Sequence, residues 1–178
     1  VFAGGRPKPS PVIRLFSFLL PKGELSVRIH WGGDSIDHTV APVLTSEPAV
    51  PVPHTLSPCP EAQGVLTPVP LIRLAYGRSG DKGDQANIGI IARQAEYLPY
   101  IWTALTPEVV ANCFSHFLDG RVERFLLPGI HAINFVLHDV LGGGGIASLR
   151  NDAQGKGYAQ ILLAQPIDLP APLAERIS

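Results

Sequence analysis

The chain has 178 residues, of which 46% are apolar and 16% charged, and its 14 basic residues nearly balance its 15 acidic ones. This balance excludes the strong positive charge that is typical of proteins binding nucleic acids or anionic membranes. The apolar stretches fall short of the ~20 nearly uninterrupted residues that a membrane-spanning helix needs. Two cysteines are too few for the disulfide framework of a small secreted domain, so we expect a soluble, cytoplasmic protein.

Residues 1–41 predict β structure that is incomplete by itself. Residues 12–20 are rich in β-forming side chains, and residues 25–31 alternate between apolar and polar before the turn at Gly32-Gly33-Asp34. Two or three strands without a helix rarely form a stable unit. The chain also opens on Val1 and contains no methionine. We therefore expect residues 1–41 to be the end of a larger N-terminal domain, most of which is missing.

Proline marks a predicted linker over residues 42–69. Eight prolines lie between Pro42 and Pro70, counting both ends. Proline has no backbone N–H and a fixed φ, which excludes a helix or a central strand. The sequence therefore predicts an extended, semi-rigid linker that ends where the next domain begins.

Residues 70–168 predict an α+β domain, followed by a tail at 169–178. The predicted elements are, in chain order, a strand at 71–76, a loop at 77–84, a strand or helix at 87–93, a helix from Thr106-Pro107 to Gly120, a strand at 122–127, a helix at 130–141, and a hairpin of strands at 146–150 and 158–164. This order predicts a mainly antiparallel sheet with helices on one face.

The segment at residues 78–84 is the first candidate site, because nearly all of it is polar or glycine directly after an apolar strand. Gly80 and Gly83 allow close approach of the backbone, so exposed N–H groups can bind an anion. Arg78 and Lys82 add positive charge suited to a phosphate or carboxylate. Ser79 and the nearby Asn87 complete the set, as further expected contacts of the ligand.

Two other interpretations of the segment at 78–84 stay open. Asp81 and Asp84 supply the carboxylate oxygens that Mg²⁺ or Ca²⁺ prefers. The segment is also typical of a tight loop held by its own ion pairs and side chain–backbone turns. Because the spacing matches neither the P-loop nor the EF-hand, we predict no metal site.

The predicted helix at 130–141 is the second candidate site. At helical spacing His131, Asn134 and His138 lie within one arc, opposite an apolar stripe. Histidine can act as a general acid or base near neutral pH, and asparagine can orient it. The two histidines stand two helical turns apart, too far for the usual zinc pair. The other interpretation is an ordinary solvated helix face.

The glycines at 142–145 are the third feature, because a helix end needs only one of them. The run predicts a close approach to a backbone or ligand, whereas the alternative is a flexible connector. After it, Ser148, Arg150 and Asp152 alternate onto one side of a predicted strand. We expect these segments to converge in one cleft, where Asp81 or Asp84 accepts a hydrogen bond from His138 or Lys82.

A family resemblance rests on an ordered series of motifs. These are YGRSGDKGD at 76–84, ANIG at 86–89, NFVLH at 134–138, LGGG at 141–144, SLR at 148–150, Asp152, and GK at 155–156. The series resembles the C-terminal domain of the acyclic terpene utilisation (AtuA) family, and residues 4–33 resemble the closing segment of that family's large N-terminal domain. The resemblance implies a ferredoxin-like fold and a place in bacterial terpene catabolism, which proceeds through acyl-CoA thioesters.

No catalytic residue is carried over from the family, so the candidate residues rest on the sequence alone. The candidate catalytic residues are His138, Asn134, Asp81 and Asp84. The candidate ligand-binding residues are Arg78, Ser79, Gly80, Lys82, Gly83, Asn87, Gly143, Gly144 and Arg150.

Two functions remain as hypotheses. In the first, the domain is part of an enzyme that acts on an acyl-CoA thioester or another anionic small molecule, with a histidine as acid or base. In the second, the same residues belong to a non-catalytic domain that assembles a homo-oligomer or covers the missing N-terminal domain. The reaction and any cofactor stay unassigned in both.

Overall fold

The computed structural model describes residues 18–39, 56, 58–60 and 64–177, together with residues 8, 9, 11, 13 and 16. Of the predicted strand at 12–20, residues 13, 16 and 18–20 are described and none of them is in a strand, whereas most of the predicted linker at 42–69 lies outside the described residues. The chain divides into two compact units. The smaller contains a hairpin in which β1 (Val27–Trp31) pairs antiparallel with β2 (Asp34–His38). Gly32 and Gly33 form its turn with positive φ, at the position that the sequence predicts.

The larger unit contains all the α-helices and the remaining strands that the structure describes. They are, in chain order, β3 (Leu66–Pro70), α1 (Leu71–Leu74), β4 (Ala75–Lys82), β5 (Gln85–Ala92), α2 (Leu98–Ala104), α3 (Pro107–Cys113), β6 (Val122–Leu127), β7 (Ala132–Leu137), α4 (Tyr158–Leu163), β8 (Pro166–Pro170) and α5 (Ala171–Ile177). Strands β4, β5, β7 and β6 form, in that order, an antiparallel sheet. The predicted α+β fold with an antiparallel sheet is confirmed.

The two faces of this sheet differ because its side chains alternate. Ile88 in β5 and Ile133, Phe135 and Leu137 in β7 are fully buried on the face that packs against α3 and α4. The strand register places a second set of side chains on the opposite face, which no described helix covers. This open face carries Tyr76, Arg78, Asn87, Asn134 and Phe125.

A small second sheet shows where the linker and tail predictions differ from the structure. Strand β3 pairs antiparallel with β8, and helices α2 and α5 pack against this pair. Prolines 68 and 70 belong to β3, which is tolerated because β3 has a neighbour on one side only. The ordered domain thus begins before residue 70, and residues 171–177 form a helix.

The segment predicted as a loop at 77–84 lies mostly in a strand. Residues 71–74 form the short helix α1 instead of the predicted strand, and β4 then runs through Lys82. Only Gly83 and Asp84 form the turn to β5. The prediction was wrong because it used the polar composition of the segment alone. Every residue of β4 pairs with β5, and this pairing supplies the hydrogen bonds that the backbone needs.

The predicted helix at 130–141 was also wrong. Residues 132–137 form β7, which follows a short 3-10 turn and is followed by a turn at residues 138–139. The apolar residues of this stretch satisfy both helical and strand periodicity. Residues 132–137 form a strand because they pair with β5 on one side and with β6 on the other. His131, Asn134 and His138 therefore do not share a helix face.

The predicted hairpin at 146–150 and 158–164 is absent from the described structure. Residues 146–150 lie in turns after Gly142–Gly145, which all have positive φ, and Tyr158–Leu163 form helix α4. The sequence of α4 is rich in leucine, alanine and glutamine, which favour helix. By contrast, the predicted α3 is confirmed at its start: Thr106 Oγ1 accepts from Val109 N at 3.3 Å. It ends at Cys113, earlier than predicted.

Candidate functional site

The open face of the sheet carries a shallow cavity of about 290 Å³ near the β4–β5 turn. Its lining residues are Arg78, Ser79, Gly80, Lys82, Asn87, Gly89 and Lys156. The register explains its shape: Gly80 stands opposite Asn87, and Arg78 stands opposite Gly89. Each cross-strand pair thus combines a glycine with a longer polar side chain, so the glycines leave a floor and the polar groups form the walls. We call this the open-face cavity.

Three cations surround the open-face cavity. Arg78 is exposed and has no hydrogen bond or ion pair within the part of the chain that the structure describes. Lys82 Nζ donates to the backbone oxygen of Asp81 at 3.0 Å and to Asn87 Oδ1 at 3.4 Å. Lys156 Nζ lies 3.5 Å from Asp81 Oδ1. One carboxylate for three cations leaves a net positive charge, which favours an anionic ligand.

Asn134 reaches this site from β7. Asn87 Nδ2 donates to Asn134 Oδ1 at 3.2 Å, and Asn87 in turn accepts from Lys82. This chain of hydrogen bonds fixes the amide of Asn87 at the wall of the cavity. Asn134 is therefore a positioning residue for Asn87, and not the partner of His138 that the sequence predicts.

Ser79 lines the cavity, but its hydroxyl is used in the core. Only 7% of Ser79 is exposed. Its Oγ accepts from Ala159 N at 2.9 Å and donates to the backbone oxygen of Lys156 at 3.2 Å. The hydroxyl thereby ties the start of α4 to β4. This bond places Lys156 beside the cavity, so Ser79 acts on the site through Lys156.

Asp84 and the glycine run form one structural unit. Asp84 Oδ1 accepts from Gly143 N at 2.8 Å and from Leu141 N at 3.2 Å. A side chain on Gly144 would lie 2.2 Å from the backbone oxygen of Gly83. The glycine run thus lies directly against the β4–β5 turn, and the Asp84 carboxylate holds that contact instead of a metal ion or a histidine.

His138 pairs with a different carboxylate from the one predicted. Its Nε2 lies 2.6 Å from Glu123 Oε2, and Arg121 approaches the other oxygen of Glu123 at 3.3 Å. Glu123 is on β6, at the opposite edge of the sheet from β4. Among the described residues, neither His138 nor Lys82 forms the expected hydrogen bond to the carboxylate of Asp81 or Asp84.

We expect Glu123→Gln to lower stability at neutral pH but not in acid. The hydrogen bond from His138, followed by that from Arg121, lowers the pKa of Glu123 below its usual 4.5. A lowered folded-state pKa stabilises the fold above pH 4.5, and this contribution disappears as the pH falls through the folded-state value. Urea unfolding of both proteins from pH 7 to pH 3 measures the difference.

The matched control for this prediction is Glu175→Gln, because Glu175 is an exposed carboxylate on α5 with no hydrogen bond or ion pair among the described residues. It changes the net charge equally. A difference between Glu123→Gln and the parent that stays constant down to pH 3, or an equal pH trend for Glu175→Gln, contradicts the prediction.

Arg150 lies in another cavity. Its Nη1 donates to the backbone oxygen of Val140, and its guanidinium lies 5.4 Å from the centre of the Phe117 ring. None of its neighbours lines the open-face cavity. The candidate residues therefore do not converge in one cleft. Those that line the open-face cavity are Arg78, Ser79, Gly80, Lys82 and Asn87, and Asn134 stands behind them.

Sequence reasoning missed three residues that the structure places at the candidate sites. Lys156 and Gly89 line the open-face cavity, and Glu123 is the partner of His138. A lysine between two glycines, at residues 155–157, was a usable signal for Lys156. Glu123 gave no such signal, because a single acidic residue in a predicted strand is ordinary.

Among the residues that the structure describes, no three histidine, cysteine or acidic side chains are grouped to hold a metal ion. No helix of the described structure is long and apolar enough to cross a bilayer.

The fold and this cavity define a class: a ferredoxin-like α+β domain whose open sheet face carries a cationic site. The family model of the AtuA ferredoxin-like domain matches residues 69–168, more than half of the chain. The chain belongs to the AtuA family, as the ordered motifs predict. No curated protein and no solved structure matches the chain significantly.

Proposed function

We propose that this domain binds an anionic small molecule in the open-face cavity, and that an acyl-CoA thioester is the class of ligand. The observation that carries the proposal is the exposed guanidinium of Arg78, which has no partner among the described residues and lies beside two lysines above a floor of glycine. Arginine binds phosphate and carboxylate oxygens through paired N–H donors, and the ammonium groups of Lys82 and Lys156 add charge. The floor lets a phosphate approach the sheet closely.

The size of the cavity determines which part of the ligand it holds. Its volume of about 290 Å³ is at the low end of the range for small-molecule sites. A phosphate or pyrophosphate group fits this volume, whereas a whole acyl-CoA does not. The remainder of the ligand extends over the open face of the sheet, which no described helix covers.

The residues of the cavity support binding and orientation more than proton transfer. No histidine lines the cavity, and His138 pairs with Glu123 at the other edge of the sheet. The reacting group of a thioester is distant from its phosphates, so the open-face cavity anchors the ligand. A partner domain or chain then supplies the groups that act on the acyl end.

A second function, assembly without catalysis, is favoured by one observation on the same face. Large apolar side chains are exposed there at levels between 40% and 59%: Tyr76, Ile91, Phe125 and Leu127. A contiguous exposed apolar patch is typical of a surface that binds another protein. In this alternative the cations orient a protein partner instead of a small molecule.

The test of anion binding uses the double variant Arg78→Gln/Lys82→Gln of the full chain. Calorimetric titration with CoA, acetyl-CoA and pyrophosphate measures the dissociation constants at low and high salt. We expect the double variant to bind about tenfold or more weakly, because each lost charge-assisted hydrogen bond contributes roughly 1.5 kcal/mol or more. Binding by the parent protein weakens as salt screens the cations.

The matched control is Arg121→Gln/Arg176→Gln, which removes the same charge from two exposed arginines outside the cavity. Equal weakening by both double variants, or no binding of any of the three ligands, excludes the proposed site. Sedimentation of Phe125→Ser tests the alternative: loss of self-association in a chain that binds no anion supports assembly instead.

A further inference from the structure

A second cavity lies in the helix layer, at the start of α4. It has a volume of about 720 Å³ and is lined by Phe117, Leu149, Arg150, Asn151, Asp152, Gly157, Tyr158 and Ile161. It shares no lining residue with the open-face cavity. Its walls are largely apolar, and the rings of Phe117 and Tyr158 lie 5.1 Å apart, centre to centre. Both rings also contact Phe114, at 5.6 and 5.3 Å, which holds them in place from the core. We call this the Arg150 cavity.

Arg150 places a positive charge at this apolar wall. The residue is half-buried, and its Nη1 donates to the backbone oxygen of Val140. It has no carboxylate partner in the part of the chain that the structure describes. A guanidinium has five N–H donors, so donors remain for a ligand. Partial burial without a counterion is unfavourable, and a bound anion relieves it.

Asp152 lines the same cavity but forms no ion pair with Arg150 among the described residues. One of its oxygens accepts from Lys156 N at 2.8 Å, and the other accepts from Gly157 N at 2.7 Å. Both oxygens are therefore committed to the backbone before α4. Tyr158 is likewise committed, since its hydroxyl donates to Val140 O at 3.1 Å. Two polar side chains of the cavity stay available to a ligand among the described residues, the guanidinium of Arg150 and the exposed amide of Asn151, and Arg150 is the charged one.

We propose that the Arg150 cavity binds a small monocarboxylic acid with an aromatic body. The carboxylate binds the guanidinium of Arg150, and the ring of the ligand packs against the wall formed by Phe117 and Tyr158. Charge selects an acid, and the paired N–H donors of arginine fit the two oxygens of a carboxylate. The aromatic walls select a flat apolar body, because rings at such distances attract each other through offset or edge contacts. The site is independent of the function proposed for the open-face cavity.

The test compares 4-phenylbutyrate with its neutral amide on the full chain. The two probes share the ring and differ in charge, so calorimetric titration isolates the contribution of Arg150. We expect the acid to bind about tenfold or more tightly than the amide, in line with a charge-assisted pair. In Arg150→Gln this preference disappears, whereas Arg150→Lys, which keeps the charge, retains part of it.

Two further variants keep the proposal testable if Arg150→Gln fails to fold. Ile161→Ser changes a partly exposed wall residue and weakens both probes alike. Arg78→Gln/Lys82→Gln leaves the binding of both probes unchanged, because these residues lie in the open-face cavity. Equal affinity of acid and amide for the parent chain, or weakening of the acid by Arg78→Gln/Lys82→Gln, overturns the proposal. Absence of binding by 4-phenylbutyrate at millimolar concentration overturns it as well.

Discussion

Alanine in place of Gly144 is expected to destabilise the larger unit by about 3 kcal/mol or more, from overpacking and left-handed backbone strain together. Gly144 has a φ of +72°, which L-residues rarely adopt. Its added Cβ would also lie 2.2 Å from the backbone oxygen of Gly83 and 2.9 Å from Asp84 N. Neither atom belongs to a flexible side chain, so the β4–β5 turn itself has to move.

Urea unfolding, followed by circular dichroism, measures this effect, and Gly145→Ala is the matched control. Gly145 also has a positive φ, of +39°, but its Cβ would meet no atom within 4 Å. The control therefore shares the unfavourable backbone conformation without the close contact. Equal destabilisation by the two variants would show that close packing on Gly83 contributes nothing.

The turn that Gly144 supports also connects to the open-face cavity. Asp84 holds Gly143 and Leu141, and Lys82, two residues earlier in the chain, lines the cavity. We therefore expect Gly144→Ala to weaken anion binding together with stability, whereas Gly145→Ala changes anion binding less.

Ser79→Ala is expected to cost about 2 kcal/mol, because it leaves a buried N–H without an acceptor. The hydroxyl accepts from Ala159 N, within a core where Ala159 is fully buried. It also donates to the backbone oxygen of Lys156, so the variant releases the segment that carries Lys156. Alanine itself fits the site without steric conflict, so the loss comes from the hydrogen bonds.

The control for Ser79→Ala is Ser115→Ala, at an exposed position after α3. Thermal unfolding and titration with pyrophosphate are measured on both variants. We expect Ser79→Ala to lower the melting temperature and to weaken anion binding, and Ser115→Ala to change neither. A stable Ser79→Ala protein with unchanged affinity would mean that water replaces the hydroxyl and that Lys156 stays in place.

The sequence by itself determined features that depend on local chemistry. The cap at Thr106 and the proline at the first position of α3 predict the start of that helix, since these groups act within one turn. The glycine pair at 32–33 predicts the turn of the first hairpin for a similar reason. The ordered motifs predict the family and its α+β class, which the family match over residues 69–168 confirms. The polar set at 78–87 predicted most of the open-face cavity, because neighbouring residues of a hairpin stay neighbours in the fold.

Only the tertiary structure decided features that depend on distant partners. Residues 132–137 carry an apolar pattern that fits a helix or a strand, and pairing with β5 and β6 selects the strand. Because these residues form a strand, Asn134 accepts a hydrogen bond from Asn87, and His138 pairs with Glu123. Lys156 joins the open-face cavity because the Ser79 hydroxyl, 77 residues away, holds its backbone oxygen. When a segment fits both the helical and the strand periodicity, composition and spacing do not show which of the two forms. The choice depends on hydrogen bonds to distant segments, and these form only in the folded chain.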